Sequence, residues 1–244
     1  MALNPMHQFE VYSIGPEINL GGINLSFTNA SLFMAISAIL ILSLLFFGTK
    51  KKSLIPSKIQ LITEMSYTFI AKMINDTAGS SAKAFFPFVF TLFMFVLFCN
   101  MVGMLPYSFT VTSQIIVTFM LAAMIFIGVT IIGFVKHGIK YLELFVPKGV
   151  PLVLLPLIII IEIISYLARP VSLSVRLFAN MLAGHTMLKV FGGFVISLGL
   201  LGGWLPLSFS VALTGLEILV AFLQAYVFAI LTCIYLNDAL NLHH

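Results

Sequence analysis

Residues 165–185 read SYLARPVSLSVRLFANMLAGH and contain both arginines of the chain, Arg169 and Arg176. The run lies inside an apolar stretch that begins near Pro151 and continues to about Val190. A guanidinium keeps its charge at any working pH. Placing one at the centre of a bilayer costs roughly 2.5–3.5 kcal/mol on insertion scales. An arginine in such a setting marks a functional position, and the rest of the sequence reads as its surroundings.

That the setting is a membrane follows from composition. Of 244 residues, 61% are hydrophobic and 8% charged, and the mean hydropathy is +1.15. A soluble domain carries about 25% charged residues. The apolar segments are continuous and do not alternate, which favours helices over a barrel. The net charge of +4 comes from lysines clustered beside apolar segments, the pattern of a topology signal and not of nucleic-acid binding. Cys99 and Cys233 stand alone in apolar runs and read as small buried hydrophobes. No phosphate-binding loop, dinucleotide fingerprint or zinc spacing occurs, so no cofactor, metal or nucleotide is expected on this chain.

Residues 1–29, with Pro5, Pro16 and Gly21-Gly22, read as an outer N-terminal arm. No lysine or arginine precedes Lys50, so the first apolar helix itself is expected to direct insertion. Residues 30–244 form a single membrane domain with spans at about 30–47, 85–105, 113–135, 151–190 and 206–236. The first span ends at Lys50-Lys51-Lys52. The third ends at Lys136, His137 and Lys140, with Lys148 beyond. Both basic ends belong inside, which puts the N-terminus outside and the C-terminus inside. Residues 58–76 place Ile59, Ile62, Met65, Phe69 and Met73 on one helical face and Gln60, Glu64, Thr68, Lys72 and Asp76 on another, as in an amphipathic surface helix. An outer turn is expected at Gly103–Ser108, around Pro106 and Tyr107. The span from Pro151 to Val190 would be about 60 Å long at 1.5 Å per residue, twice the hydrocarbon thickness. It must tilt, or bend at Pro156 or Pro170. A glycine-rich turn follows, from Gly192-Gly193 to Gly203. The fold class is therefore all-α integral membrane: five transmembrane helices plus one amphipathic surface helix, the last two spans forming a long tilted antiparallel hairpin.

Glu162, Arg169 and Arg176 are spaced by seven, so each is rotated only about 20° from the one before. Ser165, Ser172 and Asn180 join the same stripe. Arg176 has no carboxylate four residues away on either side, so its partner must come from elsewhere. On the final helix Glu217 and Gln224 share a face. If Gln224 lies level with Arg176, an antiparallel register brings Glu217 near His185 and Asp238 level with Glu162. Two titratable pairs then stand roughly 30 Å apart along the helices, with a fixed cation between them. His185 is nine residues past Arg176 and so faces about 180° away from it. Arg169, preceding Pro170, is read with Ser172 as structural support, its guanidinium satisfying carbonyls freed by the proline. Lys189 is expected to snorkel to the outer interface.

The run 170–185, together with 212–217 (ALTGLE), 221–228 (AFLQAYVF), 234–239 (IYLNDA) and 98–107 (FCNMVGMLPY), resembles subunit a of the F-type ATP synthase over nearly the whole chain. The resemblance implies a stator proton-channel subunit with no catalytic site of its own. Its partners would be a ring of c subunits, each bringing one membrane carboxylate, the peripheral-stalk b subunits, other subunits of the complex and membrane lipid. Protons would arrive by His185 and Glu217 and leave by Glu162 and Asp238. Arg176 would separate the two half-channels, with Asn180 and Gln224 supporting its charge. The placement of histidine at 185 and glutamate at 217 is similar to alphaproteobacterial and mitochondrial members, which implies a bacterial inner membrane or, alternatively, the mitochondrial one. A secondary transporter would need paired repeats and interrupted helices that the sequence lacks. A purely structural membrane subunit gives no reason for an unpaired Arg176.

Overall fold

A computed structural model describes residues 9–14, 19–20, 23–24, 26–50, 55–105, 108–146 and 154–241. Lys51, Lys52, Lys148, Pro106, Tyr107 and Pro151, on which parts of the topology and boundary expectations rest, lie outside the described residues. The elements, in order, are a two-strand hairpin β1 (Asn19–Leu20) and β2 (Ile23–Asn24), then helices α1 (Asn29–Lys50), α2 (Lys58–Ala78), α3 (Phe86–Gly103), α4 (Ile115–His137), α5 (Leu155–Gly202) and α6 (Trp204–Leu240). Short 3₁₀ segments occupy Ser80–Phe85, Val111–Ser113 and Gly138–Phe145. Five stretches are long and apolar enough to cross a membrane: Asn29–Lys50, Ala82–Gly103, Ile115–Leu142, Leu155–Gly199 and Trp204–Leu240. Their number is that of the expected spans, and α2 is a further helix over the residues expected to form the amphipathic one.

The arm is fastened to the start of the bundle by polar side chains. Asn29 Nδ2 donates to Glu10 O at 3.0 Å, and Gln114 Nε2 donates to Phe9 O at 2.8 Å. Ser57 caps α2 by accepting from Gln60 N, and Gly79, at φ 69°, ends it in the left-handed region that glycine tolerates. The face of α2 packed on the protein is Gln60, Thr63, Ile70, Met73, Ile74 and Ala78. Of the expected apolar face only Met73 is covered. Ile59, Ile62 and Met65 stay exposed, and Phe69, partly exposed as well, sets its ring against Phe93, Phe222 and Tyr226.

The C-terminal ends of α4 and α6 lie together. Lys136 Nζ donates to Leu240 O at 2.9 Å, and His137 Nε2 lies 3.2 Å from the same oxygen. The lysine there satisfies a helix-end carbonyl and opposes its partial negative charge. The buried face of α6 is a ridge of small residues, Ala221, Ala225, Ala229 and Cys233 at four-residue spacing, which lets neighbouring backbones approach closely. Around it gather Val96 of α3, Ile125 of α4 and Leu173 and Leu177 of α5.

Helix α5 departs from two expectations. Pro156 falls in its first turn and Pro170 is carried inside a continuous helix, so neither interrupts it. The irregular residue is Gly199, at φ 60° and ψ −157°. The helix also runs through Gly192-Gly193, and the turn to α6 is confined to the stretch from Gly199 to Gly203, where Gly203 N donates to Gly199 O at 2.9 Å. Forty-eight residues of helix extend about 70 Å at 1.5 Å each, so α5 must lie oblique to a bilayer about 30 Å thick.

Candidate functional site

The site is the seam between α5 and α6. The buried side of α5 is Leu173, Ser174, Leu177 and Met181, each no more than 1% exposed. Arg176 lies on the other side. It is exposed, as are Ser165, Ser172 and Asn180, while Glu162 and Arg169 are half-buried. Ser165, Ser172 and Arg176 of the stripe thus lie on the open face of the helix, while Arg169 and Asn180 stand at its edge toward α6. Among the described residues Arg176 makes no hydrogen bond or ion pair. Nor does Glu162, and Ser172 supports nothing by hydrogen bonding; the hydroxyl turned inward there is that of Ser174, bonded to Val171 O.

Across the seam three contacts run in antiparallel order: His185 with Glu217, Asn180 with Gln224, and Arg169 with Asp238. His185 Nδ1 lies 3.5 Å from Glu217 Oε1, with the side chains 11% and 5% exposed. Both carboxylate oxygens of Glu217 are buried without a hydrogen bond. Gly184 makes room for them: a Cβ at that position would lie 2.6 Å from Glu217 Oε1. His185 Nε2 meets Thr110 Oγ1 at 3.0 Å. Thr110 also donates to Gly103 O, and Thr112 donates to Asn100 Oδ1 at 2.8 Å, while Asn100 Nδ2 donates to Ala221 O of α6. The loop after α3 is therefore folded into the bundle as the outer wall of the His185–Glu217 pair.

Asn180 Nδ2 donates to Gln224 Oε1 at 3.0 Å. Gln224 therefore lies level with Asn180, one turn further along α5 than the expected level of Arg176. Gln224 Nε2 remains buried without an acceptor.

The same register corrects the inner pairing. Asp238 faces Arg169, not Glu162, which is seven residues and about 10 Å of helix away. Arg169 Nη1 donates to Asp238 Oδ2 at 3.1 Å, and its guanidinium carbon sits 5.4 Å from the ring centre of Tyr166 and 5.1 Å from that of Tyr235. The guanidinium is thus held by α6 and by aromatic faces, and not by carbonyls freed at Pro170. Tyr166 Oη continues the cluster to Thr130 Oγ1 at 2.6 Å and Tyr141 Oη at 3.0 Å. Phe126, Val129 and these polar groups line a cavity of about 10 Å³, room for one water. Arg169→Leu and Asp238→Leu are each expected to destabilise the hairpin by about 1–2 kcal/mol, since the pair is only partly covered. The double change should cost less than their sum, read as thermal inactivation midpoints of the detergent-extracted complex. Additive losses would mean that the two side chains do not act together.

Sequence reasoning missed Thr110, Asn100, Tyr166 and Tyr235. Each is a common neutral residue whose importance lies in what it touches across more than 20 residues of sequence. The excess of threonine and serine at 108–113, just after a span, was the one available signal.

Residues 31–237 match the family model for the ATP synthase A chain. The chain belongs to the ATP synthase A chain family. Its relatives are named ATP synthase subunit a. One from Pelagibacter ubique (strain HTCC1062) is 78% identical over 244 residues, covering 100% of both chains. Others from Rhizobium rhizogenes, at 61% over 99% of this chain and 98% of the relative, and from Chelativorans sp. (strain BNC1), at 58% over 100% of both, are similar along their whole lengths. Membership carries the general role of the family, proton passage through the F0 sector within the ATP synthase complex.

Proposed function

We propose that this chain is the stator side of a rotary proton channel, with two offset half-channels separated by Arg176. The observation that carries the reading is the contrast between the two sides of α5. Arg176 stands exposed with no partner among the described residues, while the His185–Glu217 pair is enclosed on the other side. A permanent cation on an open, lipid-level face has the chemistry of a dock for a carboxylate supplied by another chain. The proposed donor is a ring of c subunits. Protons reach a ring carboxylate from outside by Glu217 and His185, then leave after rotation past Glu162 and, two helical turns from it, the Arg169–Asp238 pair that forms the inner wall. Arg176 holds the deprotonated carboxylate between these routes, and Asn180 and Gln224, bonded to one another, brace the seam. Peripheral-stalk b subunits complete the stator, and no nucleotide binds this chain. The chain lies in a bacterial inner membrane, N-terminus outside and C-terminus inside. The ammonium of Lys136, gathered at the end of α6, supports that orientation.

Cross-linking tests the docking face. In a Cys99→Ala, Cys233→Ala background, single cysteines at Ser165, Ser172 and Ala179 should form disulfides with cysteines on the outer helix of a ring subunit under mild oxidation. Cysteines at Leu173 and Leu177 should not. Cross-links from the second set alone would put the ring on the wrong side of α5 and end the proposal.

A further inference from the structure

We propose that Thr110 is a positioning residue that fixes the tautomer of His185, so that this histidine exchanges its proton only through Nδ1, with Glu217. Thr110 Oγ1 lies 3.2 Å from Gly103 O and 3.0 Å from His185 Nε2. A hydroxyl has one hydrogen to give and two positions at which to accept. The Gly103 carbonyl cannot donate, so the hydroxyl hydrogen goes to it; otherwise two oxygens would face one another with no proton between them. Ser108 Oγ, 2.9 Å from the same carbonyl and 2.7 Å from Leu105 O, does not displace it, because a carbonyl oxygen has two lone pairs and accepts from both hydroxyls. The remaining role for Thr110 toward the imidazole is that of acceptor, which requires a hydrogen on Nε2.

The threonine is held for this task. It is 4% exposed. Its carbonyl accepts from Ser113 N at 3.2 Å and from Ser113 Oγ at 2.6 Å. Its methyl packs on Gly103, where a Cβ would come within 2.8 Å of Cγ2. A β-branched side chain fixed at both ends has no second rotamer to offer.

With Nε2–H committed, the Nδ1 lone pair of neutral His185 points at Glu217 Oε1, 3.5 Å away. An unprotonated nitrogen and a carboxylate oxygen repel, so that edge holds one proton. In the transfer step the Oε1–H bond of Glu217 breaks, its electron pair stays on the carboxylate, and the Nδ1–H bond forms. Imidazole with carboxylic acid becomes imidazolium with carboxylate, and the reverse step restores both. Passage through the ring, in at Nε2 and out at Nδ1, is closed, because Nε2–H faces an oxygen whose own hydrogen is already given. The second port of the pair is Glu217 Oε2, buried and without a hydrogen-bond partner.

The transport consequence rests on the proposed inlet, whereas the tautomer does not, and the experiment separates them. Solid-state NMR of the complete complex with ¹⁵N-histidine in lipid vesicles reads the two ring nitrogens, and subtraction of a His185→Gln sample assigns them. The expected spectrum has Nε2 protonated in the wild type and in Thr110→Ser, with an Nδ1–H neutral form appearing in Thr110→Val. Passive proton flux through F0 should fall about tenfold in Thr110→Val and recover in Thr110→Ser. An unprotonated Nε2 in the wild type overturns the proposal, as does a Thr110→Val spectrum unchanged from wild type. If Thr110→Val fails to assemble, the wild-type and Thr110→Ser spectra decide alone. A tautomer that behaves as expected while Glu217→Gln conducts normally would retain the positioning role and remove the inlet.

Discussion

Replacing Arg176 by alanine should abolish ATP-driven proton pumping in vesicles that hold the complete synthase, a fall of at least about 100-fold. A charge-assisted pair in a poorly hydrated seam contributes roughly 3 kcal/mol, which is about two decades in an equilibrium between docked and undocked carboxylate. The same change should raise passive proton leak, because the barrier between the two routes disappears. Assembly should be little affected. Arg176 is exposed and bonds nothing among the described residues, so its removal leaves no buried group unsatisfied. Arg176→Lys keeps a charge but loses the planar fork, and should block the leak better than it restores pumping. Pumping by the alanine variant within twofold of wild type, at equal assembly, would remove the mechanism.

The division between what the sequence made legible and what it did not follows the physics of each feature. Span number and the character of α2 depend on hydropathy summed over about 20 residues, a signal that single substitutions barely disturb. The open face of α5 was legible for a similar reason: seven-residue spacing survives any small error in helix boundaries. Register was harder. Setting Gln224 level with Arg176 brought the outer pair together correctly but put Asp238 beside Glu162, and the structure bonds it to Arg169. An offset of one to two turns is decided by how Ala221, Ala225 and Ala229 seat against Leu173 and Leu177, and volume matching across a seam leaves no periodic trace in the sequence. Of the two alternatives for the long span, tilt or a bend at Pro156 or Pro170, the helix keeps the first, because proline inside a helix frees a carbonyl but, with neighbouring helices packed around it, does not have to end the helix. The stretch expected as a glycine-rich turn does hold the irregular residue, Gly199 at positive φ, but Gly192 and Gly193 stay helical, and composition alone does not say which of several glycines breaks the chain.

Glu217→Gln carries the other large expectation, and it isolates chemistry from packing. The amide has nearly the volume of the carboxyl, so the close approach over Gly184 is preserved. It also brings an N–H donor to the unprotonated Nδ1 of His185, so the pair should stay joined and the fold intact. What the amide cannot do is release a proton. Flux through F0 should therefore fall about 30-fold or more in both directions, since a positioned acid–base group typically contributes 10²–10⁴-fold and water in the half-channel recovers part of that. Glu217→Asp is the sharper comparison. It keeps an exchangeable proton but draws the carboxyl back by about 1.5 Å from a contact that is already 3.5 Å long. Its flux should lie between those of the wild type and Glu217→Gln. A Glu217→Asp variant as impaired as Glu217→Gln would show that distance governs the step as strictly as acidity. A Glu217→Gln variant that still conducts would place the outer route elsewhere, because among the described residues no other carboxylate approaches His185 within ion-pair distance.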